Sequence, residues 1–317
     1  MSSKTFNSNG KLLLFGEYAV LDGAKSLALP CRLGQSLEIK PHRGSDLIWE
    51  AYDENNNLWF EAQISLYDFS SVRTSDAKTS RFVQKLLKGA VRQNTEFLNK
   101  WNGFKSIHRL EFSRNWGLGT SSTVINNVAQ WADVNPFHLH FSVSTGSGYD
   151  IACAAANGPI VYQLSEDQLD YSEVDFNPSF REHLYFVYLG NKTISSKGIA
   201  LYSKEAKKRK SLANKISELT EEALQCEKLE DFRILAEEHE AIISKEIKLE
   251  KIKTSRFSDF PGTVKSLGAW GGDFILAITE EPWDYVKSYF TDKGCDTMFQ
   301  YDDLILADKV NTEVMYG

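Results

Sequence analysis

The chain lacks most of the features that mark a secreted, membrane-spanning or nucleic-acid-binding protein. Its four cysteines, Cys31, Cys153, Cys226 and Cys295, stand singly, with no CxxC pair among them. Such spacing reads as reduced, buried thiols, and it argues against both a disulfide framework and a zinc site. No apolar stretch approaches the roughly 18 residues that a transmembrane helix needs. The N-terminal segment has no signal-peptide order of basic, long apolar and small residues. A cytoplasmic protein without membrane contact is the expectation. The formal charge of −7 makes a broad basic face for nucleic acid unexpected. There is no internal repeat and no low-complexity tract.

What is present suits a packed enzyme-sized protein. The 317 residues include 19 Phe, 13 Tyr and 7 Trp, enough bulk for a substantial core. Two domains are expected, 1–165 and 166–317. In the first, short strands are expected at Lys11 to Phe15, Ser36 to Lys40 and Ile107 to Phe112. Asp46 to Gln63 reads as a hairpin around the polar turn Asp53 to Asn57. Apolar residues at helical spacing predict a helix over Arg81 to Leu98, and others are expected at Ser121 to Trp131 and Asp150 to Ala156. The last is stopped by Asn157-Gly158-Pro159. In the second half, strands are expected at Ile160 to Gln163, Leu184 to Leu189, Phe274 to Ile278 and Leu304 to Ala307, with a helix over Pro282 to Tyr289. The stretch from Lys204 to Ile252 has no Pro or Gly and predicts two long helices that break near Cys226 to Asp231. Its charges read as a solvated helix face.

The local segment richest in chemistry is Trp116-Gly117-Leu118-Gly119-Thr120-Ser121-Ser122. It follows an expected strand and opens an expected helix, a context in which glycines let backbone N–H groups gather around an anion. Ser121 and Ser122 add hydroxyls for a phosphate oxygen or a Mg²⁺ ion. The GK[ST] ending of a P-loop is missing. Taken alone, the segment is equally a tight turn with a serine cap.

Two further segments belong with it: Gly10-Lys11-Leu12-Leu13-Leu14-Phe15-Gly16-Glu17-Tyr18-Ala19-Val20 and Lys265-Ser266-Leu267-Gly268-Ala269-Trp270-Gly271-Gly272-Asp273. In this order and at these separations, the three resemble the motifs of the GHMP kinases, the family of galactokinase, homoserine kinase, mevalonate kinase and phosphomevalonate kinase. A fourth segment, Gly146-Ser147-Gly148-Tyr149-Asp150-Ile151-Ala152, is similar to the run that carries the catalytic aspartate in the mevalonate and phosphomevalonate kinases.

The resemblance implies a two-domain α+β fold with the active site in the cleft between its halves. The N-terminal domain would be built on a mixed sheet and the C-terminal one would be a ferredoxin-like sandwich. It implies an ATP- and Mg²⁺-dependent kinase with Lys11 and Asp150 as catalytic residues. Gly117, Leu118, Gly119, Thr120, Ser121 and Ser122 would bind ATP phosphates, with Ser121 as metal ligand. Glu17, Tyr18, Ser147, Gly271 and Gly272 would shape or contact the acceptor, the third motif packing close to the central loop through Gly268, Gly271 and Gly272. Asp150 is otherwise a helix cap, and Lys11 a surface lysine. The segment Gly190 to Lys197 adds Lys192, Ser195 and Ser196 for an acceptor phosphate or carboxylate, or is a solvated loop.

The chain departs from the family at several places. Thr120 and Thr123 replace the usual Ser and Ala, and Trp270 stands where a glycine is usual, bringing a large ring near the pocket. His138-Leu139-His140 occupies the neighbourhood of the metal-binding glutamate of mevalonate kinase. The start GEYAVLDG, the run GSGYDIA and Asp273 look most like phosphomevalonate kinase, with mevalonate as the alternative acceptor. A GHMP-fold binding or regulatory module without turnover is the reading from another class. A monomer or homodimer that binds only ATP and a small acceptor is expected.

Overall fold

The computed structural model describes residues 3–99, 102–164, 169–190, 202, 209–268, 270 and 272–307. The chain divides into two compact units, each assembled from separated segments. The first comprises Met1–Gly10, Leu33–Arg114 and Leu118–Ala155; the second comprises Lys11–Arg32, Asn115–Gly117 and Ala156–Gly317. Two long strands, β1 (Lys4–Phe15) and β2 (Ser26–His42), run through these divisions.

In the first unit, β2 is followed by β3 (Asp46–Tyr52), β4 (Leu58–Ser65), β5 (Ser71–Thr74) and β6 (Gly103–Leu110). Their order is β5-β4-β3-β6-β2, with β3 and β6 parallel and the other pairs antiparallel. Alternate residues of β3 and β4 are buried, so one face of the sheet is apolar. The expected hairpin forms because Asp53 Oδ1 accepts the amides of Asn55 and Asn57 at 3.0 and 2.8 Å, closing the turn locally.

Helices α1 (Ala77–Gln93), α2 (Thr120–Ala132), α3 (Pro136–Val143) and α4 (Tyr149–Ala155) complete this unit. α1 starts earlier than the apolar spacing suggests, because Asp76 caps it by accepting the Thr79 amide at 2.7 Å. It ends at Asn94 rather than running on to Leu98. Val83, Leu86 and Leu87 of α1, and Ile125, Val128 and Ala129 of α2, pack with Leu139 and Ile151 against Leu37, Leu47, Trp49, Phe60 and Ile64 of the sheet.

Beneath α2 the core is polar and hydrogen-bonded. Ser8 Oγ donates to Asn127 Oδ1 at 2.8 Å, and Asn126 donates to Ser8 Oγ at 2.9 Å. Asn127 donates to the Gln35 carbonyl at 2.9 Å, while the Thr123 hydroxyl reaches Gln35 Oε1 at 2.6 Å. The network fixes the rotation and height of α2 over β1 and β2, which apolar packing alone would leave free to slide.

In the second unit, Ser26 to Ala28 of β2 pair with β7 (Ile160–Leu164), which pairs with β8 (Leu169–Glu173). The rest follows the sequence β9 (Leu184–Tyr188), α5 (Arg209–Leu224), α6 (Leu229–Ile247), α7 (Ile252–Arg256), β10 (Thr263–Leu267), β11 (Phe274–Ile278), α8 (Trp283–Asp292) and β12 (Met298–Gln300). The four strands form an antiparallel sheet in the order β10-β11-β9-β12. Two strand–helix–strand crossovers with antiparallel strands in this order make the split βαβ, ferredoxin-like arrangement. The fold is thus α+β, with a large mixed sheet and a second, small antiparallel one.

The strand expected at Leu304 to Ala307 does not form. Tyr301–Leu304 is one helical turn (α9), and only Ile305 meets a strand, as a single bridge to Cys31. The Tyr301 hydroxyl is bonded inward to the Phe176 carbonyl at 2.8 Å, which holds that turn closed where an extended chain would carry the ring away.

Replacing Asn127 by Leu leaves Ser8 and the Gln35 carbonyl short of partners. A loss of about 1–3 kcal/mol is expected, measured as a lowered urea midpoint.

Candidate functional site

The central glycine segment is held by two different sets of neighbours. Its upstream part belongs to the second unit. There the Trp116 ring meets Phe299, Phe274 and Tyr188 at centroid distances of 5.5, 6.2 and 6.2 Å, and the Tyr188 hydroxyl donates to the Asn115 carbonyl at 3.0 Å. Asp273 packs directly on Gly117: a Cβ built there would lie 2.3 Å from Asp273 Oδ2, and its φ of 71° is itself left-handed. The expected approach of the third motif to the loop is therefore made by Asp273. At Gly268 a Cβ would meet open space, so a φ of 72°, not close packing, explains that glycine. Gly271 lies outside the described residues, and Gly272 is buried.

The downstream part belongs to the first unit. Gly119, with φ of 95°, is the N-cap of α2 and supplies no side-chain cap. The hydroxyls that follow divide sharply. Ser122 is buried and donates to the Gly119 carbonyl at 2.8 Å, and Thr123 bonds inward to Gln35, so both serve the helix. Ser121 is exposed and Thr120 half-exposed. Leu118 is wholly buried, so its side chain anchors the loop and only its backbone can meet a ligand. The first amides of α2, with the positive end of the helix dipole and the Ser121 hydroxyl, are thus the groups presented to solvent.

α4 packs against α2 and carries Asp150, half-buried in its first turn. One carboxylate oxygen accepts the Ile151 amide at 3.1 Å. Ser147, just before α4, is buried. α3 begins with Asn135 accepting the amides of Phe137 and His138 at 2.9 and 3.0 Å ahead of Pro136, a start signal present in the sequence. On α3, His138 is exposed, whereas the His140 ring is buried edge-on to Phe141.

In the second unit, Lys11 is half-buried in the latter half of β1. Past the end of β1 at Phe15, the chain stays buried through Val20. Glu17 is 2% exposed and receives Lys265 Nζ at 2.6 Å, while His239 Nε2 stands 3.2 Å from its other oxygen. Burial pushes the Glu17 carboxyl up to about 7, against the pull of Lys265. Glu240 is also raised by burial, and it accepts both the Ser266 amide and hydroxyl at 3.0 and 2.9 Å. Burial, with the Lys265 charge, holds His239 well below its ordinary value.

His239 and Glu240 are absent from the expected site, because the charges of this stretch read as a solvated face. Their signal was positional: they fall in the buried stripe Leu235, Ala236, Ile243 and Ile247 of α6.

Tyr18 stacks on Tyr202 at 5.8 Å, and its hydroxyl, pushed up to about 12 by burial, accepts the Trp270 amide at 3.0 Å. The Trp270 ring does not project into open space. It is nine-tenths buried, with its indole N–H on the Glu250 carbonyl at 3.0 Å. Lys192, Ser195 and Ser196 lie outside the described residues. Among the described residues there is no cluster of His, Cys, Asp and Glu able to hold a metal ion, and no helix long and apolar enough to cross a membrane.

Replacement of Gly117 by Ala is expected to displace Asp273 and lower the melting temperature by several degrees, roughly the shift of a 1–3 kcal/mol loss, as read by thermal unfolding.

No protein-family model matches the sequence, and no curated protein sequence matches it. Solved structures do resemble it. The Methanococcus jannaschii mevalonate kinase superposes with a TM-score of 0.70 at 15% identity, covering 94% of this chain and 97% of that one. Streptococcus pneumoniae phosphomevalonate kinase, in complex with phosphomevalonate and AMPPNP, gives 0.69 at 18% identity, covering 94% and 99%. Lactococcus lactis galactokinase, complexed with galactose, gives 0.67 at 14% identity, covering 92% and 89%. The chain therefore has the two-domain fold of the GHMP kinases.

Proposed function

We propose that the chain is an ATP-dependent kinase of the GHMP type that phosphorylates a small isoprenoid-pathway acceptor, with phosphomevalonate as that acceptor. The observation that carries this reading is the start of α2. The helix has no side-chain cap, Ser122 and Thr123 are turned inward, and Ser121 is left exposed beside uncapped amides. That is the donor set a polyphosphate requires. A Mg²⁺ ion fits the same chemistry, since it takes one or two protein oxygens and keeps its waters. Ser121 would hold it, with Thr120 and the backbone of Gly117, Leu118 and Gly119 around the phosphates. ATP supplies the phosphoryl group, and Mg²⁺ offsets the charge on its oxygens.

Lys11 supplies positive charge where negative charge develops, and Asp150 orients the acceptor oxygen. An acceptor phosphate has a second pKa near 6 and is already ionised at neutral pH. Asp150 then has little proton to remove, and cationic groups that hold the acceptor matter more. Lys192, Ser195 and Ser196 are proposed for that task, with Ser147, Tyr18 and Gly272 as further acceptor-binding candidates. The preference for phosphomevalonate over mevalonate rests on GEYAVLDG, GSGYDIA and Asp273.

ATP consumption measured with phosphomevalonate, mevalonate, galactose and homoserine tests the reading: turnover is expected with phosphomevalonate. Asp150→Ala and Lys11→Met are each expected to lower kcat by about 100-fold or more, and unchanged rates would remove their roles. Ser121→Ala is expected to raise the Mg²⁺ requirement, whereas Ser122→Ala is expected to lower stability by about 1 kcal/mol with the requirement unchanged. Lys192→Ala is expected to raise KM for phosphomevalonate. ATP binding without turnover on any acceptor would favour a binding module.

A further inference from the structure

The buried cluster around Lys265 does not balance as ordinary ionisation would leave it. It contains two carboxylates, Glu17 and Glu240, one ammonium, Lys265, and one imidazole, His239, all at most 2% exposed. Glu240 is fully provided for: it accepts the Ser266 amide and hydroxyl and a backbone bond from Ile252. Those donors favour its charged form and work against the upward push of burial. Glu17 is provided for on one side only. Its Oε1 receives Lys265, which also donates to the Ser266 carbonyl at 3.0 Å. Its Oε2 has no hydrogen-bond donor, although it is buried.

What Oε2 faces is His239 Nε2, 3.2 Å away. That nitrogen already accepts the Gly16 amide at 3.0 Å, so it presents a lone pair. Two lone pairs at this separation in a dry interior repel, and the arrangement is stable only with a proton between them.

We propose that Glu17 carries that proton on Oε2 and donates it to His239 Nε2, making Glu17 a neutral positioning residue that fixes the turn after the Lys11 strand. The Nε2 lone pair then faces two donors, Gly16 N–H and Glu17 O–H. The proton also brings the cluster to zero net charge, with Lys265 balanced by Glu240. The groups that face Glu17 are Lys265 from β10, His239 and Glu240 from α6, and Tyr18 beside it, itself in the field of Asp273. Burial outweighs the one cation among them and lifts the Glu17 carboxyl into the neutral range. Glu17 is thereby set apart from the acceptor: its two oxygens serve Lys265 and His239, and the Gly16–Tyr18 turn they hold carries the hydroxyl that anchors Trp270.

The link to catalysis rests on the kinase reading above; the protonation does not. Two measurements separate them. The first is the urea midpoint of wild type and Glu17→Gln from pH 5 to pH 8. A carboxyl raised from 4.5 to about 7 on folding stabilises the native state fully below pH 4.5 and loses that contribution as pH rises through about 7. Glutamine imitates the protonated form and does not titrate. Wild type and variant are therefore expected to match near pH 5, with the wild-type unfolding constant rising relative to the variant's by about tenfold or more at pH 8. A Glu17→Gln protein that does not fold, or that is weaker than wild type at every pH, would show that Lys265 needs a charged Glu17 and would overturn the proposal.

The second is turnover of the full chain with ATP and the accepted substrate. Glu17→Gln is expected to keep kcat within about threefold of wild type at pH 6, and Glu17→Ala to lose at least about tenfold with KM for ATP unchanged. Loss of kcat in a folded Glu17→Gln would overturn the positioning role. Absence of turnover in the wild type would sink the kinase reading alone and leave the protonation to the first measurement.

Discussion

An ammonium group cut off from water demands acceptors on every side, and Lys265 imposes that demand on the second unit. Its neighbours come from three places in the chain: the Gly16–Tyr18 turn, α6 and the strand β10 itself. The same turn extends the connection, since the Tyr18 hydroxyl holds the Trp270 amide. Asp273, at the end of that segment, closes on Gly117. The first and third motifs and the upstream part of the central loop are thus tied together by contacts that few other residue types could make. A lysine on a strand with all five residues buried would otherwise be a large cost to folding.

The first unit solves its own positioning problem with uncharged groups. Asn126, Asn127, Thr123 and Ser8 form a hydrogen-bonded network under α2, and the Ser122 and Thr123 hydroxyls are turned back into the protein. The consequence is selectivity among similar side chains. Four consecutive hydroxyl residues begin α2, yet burial takes Ser122 and Thr123 out of contact with solvent and leaves Ser121 in it. Rigidity and ligand access are divided between neighbours in sequence.

Elements with local causes were legible before the structure. The β3–β4 hairpin follows from Asp53 and the asparagines beside it, and the stop after α4 from Asn157-Gly158-Pro159. The pair α5 and α6, with its break at 225–228, follows from an unbroken run of helix formers. Elements with distant causes were not. Thr263–Leu267 is not among the expected strands, and only a partner far off in sequence makes Lys265 an interior strand residue. His239 and Glu240 read as solvated charge for the same reason. α3 was a different omission, because Asn135-Pro136 marks its start plainly. The motif residues were found by their similarity to a family. What similarity did not convey is which of them face outward, since Ser121 and Ser122 differ only in burial. Nor did it convey that the Trp270 ring is locked on Glu250.

The discontinuous make-up of the second unit has a consequence for how the chain comes into being. Glu17 and Lys265 are 248 positions apart, so the turn after β1 cannot be completed until almost the whole protein exists. At a synthesis rate of about 5–20 residues per second, that interval is roughly 10 to 50 s, during which Lys11–Arg32 must wait. Contacts of such high order form late and contribute little to the folding nucleus. The half of the protein with the shorter sequence separations, around α1, α2 and the β3–β4 hairpin, is the part with time to fold first on the ribosome.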